Sequence, residues 1–317
     1  IGWKDKISRP KDDGPIKRGI GMAALMQGSS VPEIDMASAS LKMNEDGSFN
    51  LLCGATDLGT GSDTVLSQIA AETLGLTEEE IIVYSSDTDL TPFDVGAYAS
   101  STTYLSGMAV KNAAEEIKKQ IIQVVSEMLN ETDAEYKFEE GKVISSTGKE
   151  VTMGDVALRA LYQENQFQIG AIGSAISHSS PPPFSAHFVE VSVDTETGKI
   201  TIEKYVAAVD CGTAINPKLA EGQTEGAVFN GISYAMTENY IMDKRGKMLN
   251  PSFKNYKTLK MNDIKEIKTI LVPTYEPTGP YGAKSVSEIS INGAMPAISN
   301  AVYNATGARL LDAPFTP

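Results

Sequence analysis

Four short stretches carry residues that could do chemistry. "GPYGAKSVSEIS", Gly279 to Ser290, places Lys284 and Glu288 behind a Gly-Pro-Tyr-Gly turn and ahead of an apolar helical pattern. A carboxylate held by such a turn can serve as a general base when it lies within hydrogen-bond reach of the proton it removes. "DLGTGSDTVL", Asp57 to Leu66, sets Gly59 and Gly61 immediately before a helix start. Backbone N–H groups there, with a hydroxyl from Thr60 or Ser62, can hold a phosphate or another anion. "GAYASSTTYLSG" offers Ser100, Ser101, Thr102 and Thr103 in succession to a polar ligand. "INPKLAEGQTEG" sets Gln223 between Gly222 and Thr224, where its amide meets no steric competition.

Each stretch also has an ordinary structural account. Turn glycines before a capped helix explain the first loop, which matches neither a Walker loop nor a dinucleotide fingerprint. Ser and Thr are preferred helix caps, and a glutamine is by default a surface residue. Lys284 and Glu288, four apart, would form a modest surface pair on a helix. The Pro280-Tyr281-Gly282 turn argues instead for a structured loop. No single motif decides the matter; their order does.

The elements that must position these residues read as follows. "MASASLKM" and "FNLLCGA", joined through an Asp-Gly turn, form a hairpin. Val65, Leu66, Ile69, Ala70 and Leu74 recur at helical spacing, with Gly75 as the stop, and "IIVYSS" reads as a strand. A long helix runs along Leu105, Ala109, Ala113, Ile117, Ile121, Val124 and Met128. "GKVISSTGKEVT" is a hairpin candidate, followed by a helix from Met153 to Leu161. "SHSSPPPFSA" is the best linker, and "HFVEVSVDTETGKITIEKYVAAVD" beyond it is a hairpin. A glycine-bearing helix covers "NPKLAEGQTEGAVFNGISYAMTE", and Ala294, Ile298, Val302 and Ala305 mark a last one. Hairpins and helices alternate without a βαβ rhythm, so the fold class is α+β. Two lobes are expected, residues 1–180 with the glycine and serine loops and 181–317 with Glu288.

Composition excludes several classes. With 41% apolar and 21% charged residues the chain has an ordinary packed core. A net charge of −14 argues against nucleic acid and anionic membranes as partners. No run approaches the roughly 20 apolar residues of a membrane span, and no signal-peptide pattern is read in the first residues given. Cys53 and Cys211 lie far apart and read as buried thiols of a reducing compartment, the cytoplasm, rather than a disulfide. Two histidines, His178 and His187, do not build a protein metal site, and no cysteine pattern for an iron–sulfur cluster is present.

Taken in order, "TDLGTGSDTVLSQIAAETLG", "YASSTTYLSGMAVKNAA", "VDCGTAINPKLAEGQTEGAVFNGISYAMTE" and "GPYGAKSVSEISINGAMPAISNAVYNATGARL" resemble the molybdenum hydroxylases. The similarity is to the second half of the molybdenum-binding subunit of the xanthine dehydrogenase/aldehyde oxidase family. It covers nearly the whole chain and is weakest from Lys137 to Ser180. It implies a molybdenum–molybdopterin cofactor, in some members extended to a cytosine dinucleotide. Gly59, Thr60, Gly61 and Ser62, with Ala99, Ser100, Ser101 and Thr102, would line the pterin and phosphate region. Gln223 matches the pterin-side glutamine, Lys284 joins the cofactor-side residues, and Glu288 matches the catalytic base. The implied reaction is hydroxylation of an electron-poor carbon of an N-heterocycle, such as a purine or pyridine, or of an aldehyde, with water as oxygen source. Iron–sulfur clusters and FAD would sit on partner subunits. The other half of the molybdopterin subunit would be a further partner, whether this is a split subunit, as in nicotinate dehydrogenase, or a fragment.

The sequence departs from the family pattern in three places. Thr60 stands where the family has glutamine, and Ser285 and Ser287 stand where it has glycines. These changes motivate a second reading, a non-catalytic cofactor-binding or assembly half.

Overall fold

Strict burial alternation in "MASASLKM" and "FNLLC" produces strands with one face in the core, and 3.6-residue periodicity produces the helices that cover that face. The computed structural model describes residues 1–8, 12–163 and 165–317. Its first part contains α1 (Trp3–Ile7), β1 (Ile16–Met26), β2 (Met36–Met43), β3 (Phe49–Cys53), α2 (Ser62–Leu74) and β4 (Ile81–Ser85). Then come α3 (Gly107–Leu129), β5 (Tyr136–Glu139), β6 (Lys142–Ser145), β7 (Glu150–Thr152), α4 (Met153–Tyr162) and β8 (Gly170–Ile176). The last part contains β9 (Phe184–Asp194), β10 (Ile200–Asp210), α5 (Pro217–Met236), β11 (Ile267–Leu271) and α6 (Ala294–Thr306).

One sheet runs β4-β3-β2-β8, a second β1-β9-β10-β11, and a small third β5-β6-β7. The architecture is mixed α+β, as expected, with one correction. β3 and β4 pair in parallel across α2, and β10 and β11 pair in parallel across α5. These are two βαβ units that the sequence reading did not anticipate, because each crossover sits at the end of a longer antiparallel run.

The first core packs Leu41, Phe49 and Leu51 of the sheet against Leu66 and Ile69 of α2 and Ile117 and Ile121 of α3. Each such side chain contributes about 1.5–3 kcal/mol on burial, so α2 and the loop that feeds it are firmly placed. The second core joins Val189, Val191 and Tyr205 to Val228 and Ile232 of α5 and Ile298 and Val302 of α6. β1 precedes residue 180 in sequence yet pairs along its whole length with β9. The sheet of the second part thus includes a strand from the first. α6 lies directly on β1: a Cβ at Gly19 or Gly21 would come within 2.1 Å of the Ala301 or Ala297 carbonyl. Among the described residues, no helix is long and apolar enough to cross a membrane.

Candidate functional site

The Gly279–Ser290 stretch is a structured loop clamped from both sides. Tyr281 Oη meets Thr73 Oγ1 of α2 at 2.7 Å, and Thr278 Oγ1 meets Tyr104 Oη at 2.8 Å. On the other side, Lys284 N donates to the Cys211 carbonyl at 2.9 Å. The Lys284 ammonium donates to the Pro182 carbonyl at 2.8 Å and to Asp210 at 2.9 Å. The turn needs glycine at its start, since a Cβ at Gly279 would lie 1.9 Å from the Ala283 carbonyl oxygen. Lys284 and Glu288 do not pair, and Glu288 opens a short 3-10 turn, Glu288–Ser290.

The Glu288 carboxylate reaches back toward the serine segment. Its Oε2 accepts from Ser100 Oγ at 3.1 Å and from Gln27 Nε2 at 2.6 Å. The Ser100 hydroxyl also accepts from the Glu288 backbone N–H at 3.1 Å. Ala99 and Ser100 both adopt left-handed backbone, with φ of 50° and 53°. Non-glycine residues there cost about 1–3 kcal/mol each, and such strain concentrates at functional positions. It persists because both flanks are tied down. The Tyr98 hydroxyl donates to buried Asp35, the Ser101 hydroxyl donates to the Tyr98 carbonyl at 2.9 Å, and a π-turn, Thr102–Ser106, leads into α3.

The glycine loop differs from a simple anion cradle. Asp57 accepts from the backbone N–H of Gly59 at 2.8 Å, Gly61 at 3.1 Å and Asp63 at 3.4 Å. Burial alone would raise the Asp57 carboxyl. The surrounding amides of Gly61, Gly59, Asp63 and Thr60 outweigh it and hold the group below its ordinary range. The loop is thus shaped around its own internal anion, and what it presents outward is hydroxyls. Ser62, first residue of α2, is 6% exposed, and its Oγ has no hydrogen-bond partner among the described residues.

The structure brings most of the expected residues to one cleft. Thr60, Ser62, Ser100, Thr102, Gln223, Lys284 and Glu288 line it, joined by Thr213, Asn216 and Val286, which the sequence reading did not single out. Gly59, Gly61, Ala99 and Ser101 are not among the lining residues. Gln223, on α5, accepts from Ser287 Oγ at 3.2 Å, which commits its carbonyl and leaves its amide NH2 as the donor for a ligand. Lys284 lines the cleft, but its charge is bound to Asp210. Gln27 was missed altogether: it follows a strand that showed no clear alternation, and no local signal marks it.

The changed glycines are accommodated. Ser285 is 1% exposed. Its hydroxyl donates to the Gly28 carbonyl at 3.2 Å, and its backbone N–H donates to Ser29 Oγ at 3.2 Å. Ser29 is buried beside it, and its hydroxyl also contacts the Pro181 carbonyl at 2.6 Å. Ser287 holds Gln223. Both serines therefore lock the Glu288 loop.

The cleft holds about 170 Å³, below the roughly 300–1,000 Å³ of pockets that enclose a small ligand. Among the described residues there is no group of three His, Cys, Asp or Glu side chains able to hold a metal ion. The orphaned Ser62 hydroxyl, the Gln223 amide and the Thr102 hydroxyl form a neutral, donor-rich wall that fits a polar cofactor.

The family model described as a molybdopterin cofactor-binding domain matches residues 1–265. The probable hypoxanthine oxidase XdhD of Escherichia coli K12 is 40% identical over 98% of this chain and 33% of its own length. The putative xanthine dehydrogenase molybdenum-binding subunit XdhA of the same strain is 36% identical over 99% of this chain and 43% of its own. The chain thus spans between a third and a half of these relatives. Among solved structures, reconstituted CO dehydrogenase from Oligotropha carboxidovorans superposes with a TM-score of 0.88 at 26% identity, over 95% of this chain and 40% of that one. Matches that run nearly the full length of the chain place it in the molybdopterin cofactor-binding domain family of the molybdenum hydroxylases.

Proposed function

We propose that the chain is the part of a molybdenum hydroxylase that carries the catalytic base, Glu288, and one wall of the pterin site. The observation that carries this is the Glu288 carboxylate, fixed by Ser100 and Gln27 at the rim of the cleft that Ser62 and Gln223 line. When bound, the molybdenum–molybdopterin cofactor, with or without a cytosine dinucleotide extension, supplies a water-derived oxygen and takes up two electrons. Glu288 removes the proton released as an electron-poor carbon is attacked, a role that calls for a carboxylate already in place. Gln223, Thr102 and Ser62 donate to the polar edge of the cofactor. Asp210 and Lys284 hold the loop rather than the ligand.

The substrate is an N-heterocycle, purine or pyridine, or an aldehyde, and the electrons leave to iron–sulfur and flavin partner subunits. The remaining part of the molybdopterin subunit closes the other side of the cleft. Buried thiols, with Cys53 pushed up to about 12 and Cys211 to about 11 by burial, suit a reducing cytoplasm. The test is Glu288→Gln in the complete enzyme. Turnover is expected to fall at least about 100-fold, the scale of general-base catalysis, with molybdenum content unchanged. Retained turnover would remove Glu288 from the chemistry and favour the assembly role.

A further inference from the structure

Glu288 does not hold its position alone. Gln27, on the segment leaving β1, donates through Nε2 to Glu288 Oε2 at 2.6 Å. Ser100 Oγ donates to the same oxygen at 3.1 Å. A glutamine can turn either end of its amide toward a carboxylate, and only the NH2 end attracts. The Glu288 carboxylate, which can only accept, requires Nε2, and Asn292 matches that orientation, its Nδ2 donating to Gln27 Oε1 at 3.4 Å. Asn292 lies one turn beyond Glu288 on the same loop, so the clamp closes on itself.

We propose that Gln27 is a positioning residue for the Glu288 base, holding Oε2 against Ser100 so that Oε1 is the oxygen that meets substrate. This rests on the reading of Glu288 as the base. An untethered glutamate divides among many rotamers about three side-chain torsions. Two donors converging on one oxygen select a single arrangement. Neither donor is a cation, so the carboxylate is oriented without being engaged in an ion pair. Lys284, the cation in the same loop, is kept away by Asp210 at 2.9 Å.

In the complete enzyme, Gln27→Met keeps the length of the side chain and removes the donor. Its kcat is expected to fall about 10- to 100-fold, the scale for a base displaced by about 1 Å, with KM and molybdenum content little changed. Asn292→Leu should lower kcat on its own and add nothing in the Gln27→Met background. A second readout is independent of turnover. Thermal midpoints of Gln27→Met, Glu288→Met and the double variant should be non-additive, the double losing less than the sum of the singles. Full kcat in Gln27→Met, loss of molybdenum from it, or additive midpoints would each overturn the positioning role. Should Glu288→Gln retain turnover, it is the base assignment that fails, and the midpoint cycle still reports whether the clamp exists. If Glu288→Gln is inactive while Gln27→Met is fully active, only the present proposal fails.

Discussion

Lys284 and Asp210 meet at 2.9 Å in the interior, with 8% and 16% of their side chains exposed. The pair bolts the Glu288 loop to the end of β10. Burial by itself would raise the Asp210 carboxyl. Thr274, the Gly212 amide and Lys284 reverse this and hold it below its ordinary range. Removing one partner of a buried pair costs about 3–5 kcal/mol because the other charge is left uncompensated. Lys284→Met is therefore expected to lower the thermal midpoint of the enzyme strongly. Adding Asp210→Asn, which removes the stranded charge, should restore part of the loss. A Lys284→Met enzyme of unchanged midpoint with reduced cofactor content would instead make Lys284 a cofactor ligand.

The acid limit of stability should trace in part to His187. Its imidazole is 0% exposed, bonded through Nδ1 to Tyr205 Oη at 2.8 Å. Burial lowers its pKa from 6.5 to about 4. The unfolded chain therefore takes up this proton before the folded one does. The neutral ring's contribution is fully present above pH 6.5 and is lost as pH falls from there toward 4. The size is on the order of 3 kcal/mol, the worth of moving this titration from 6.5 to about 4. Unfolding midpoints measured across that window should fall with acid in the native enzyme and fall less steeply in His187→Leu, whatever the variant's stability at neutral pH. Parallel slopes would remove His187 from the acid response.

Much of this fold was legible because its elements carry strong patterns. The α3 stripe from Ala109 to Val124 and the alternating Val189, Val191 and Val193 leave little choice of structure. β1 and β8 were not read. Gly19 and Gly21 in β1 exist to admit α6, and "GAIGSAI" of β8 offers small residues where a strand usually shows branched ones. Close packing of a helix onto a strand removes the side chains that would announce the strand. Among the candidate site residues, Glu288 was marked by its turn, Ser62 by a helix start and Gln223 by its small neighbours. Gln27 was invisible, since its role depends on a contact across 261 residues of sequence. The glycine loop was half legible: its shape was foreseen, but not that Asp57 would occupy its amides.

Ser62 tests whether the proposed cofactor wall is more than an ordinary helix start. Its buried hydroxyl has no partner among the described residues, and a buried polar group left in that state costs about 1–3 kcal/mol. A helix cap would have used the hydroxyl, and α2 has no side-chain cap. If a ligand satisfies it, Ser62→Ala should leave the cofactor-free enzyme as stable as before or slightly more so. The same change should weaken retention of the cofactor by about 3- to 10-fold, the worth of one hydrogen bond. Molybdenum and pterin content after extensive dialysis, set beside the midpoint of the cofactor-free form, measures both. Equal retention with a lowered midpoint would mean that the hydroxyl serves the fold and that the polar wall begins elsewhere, at Thr102 and Gln223.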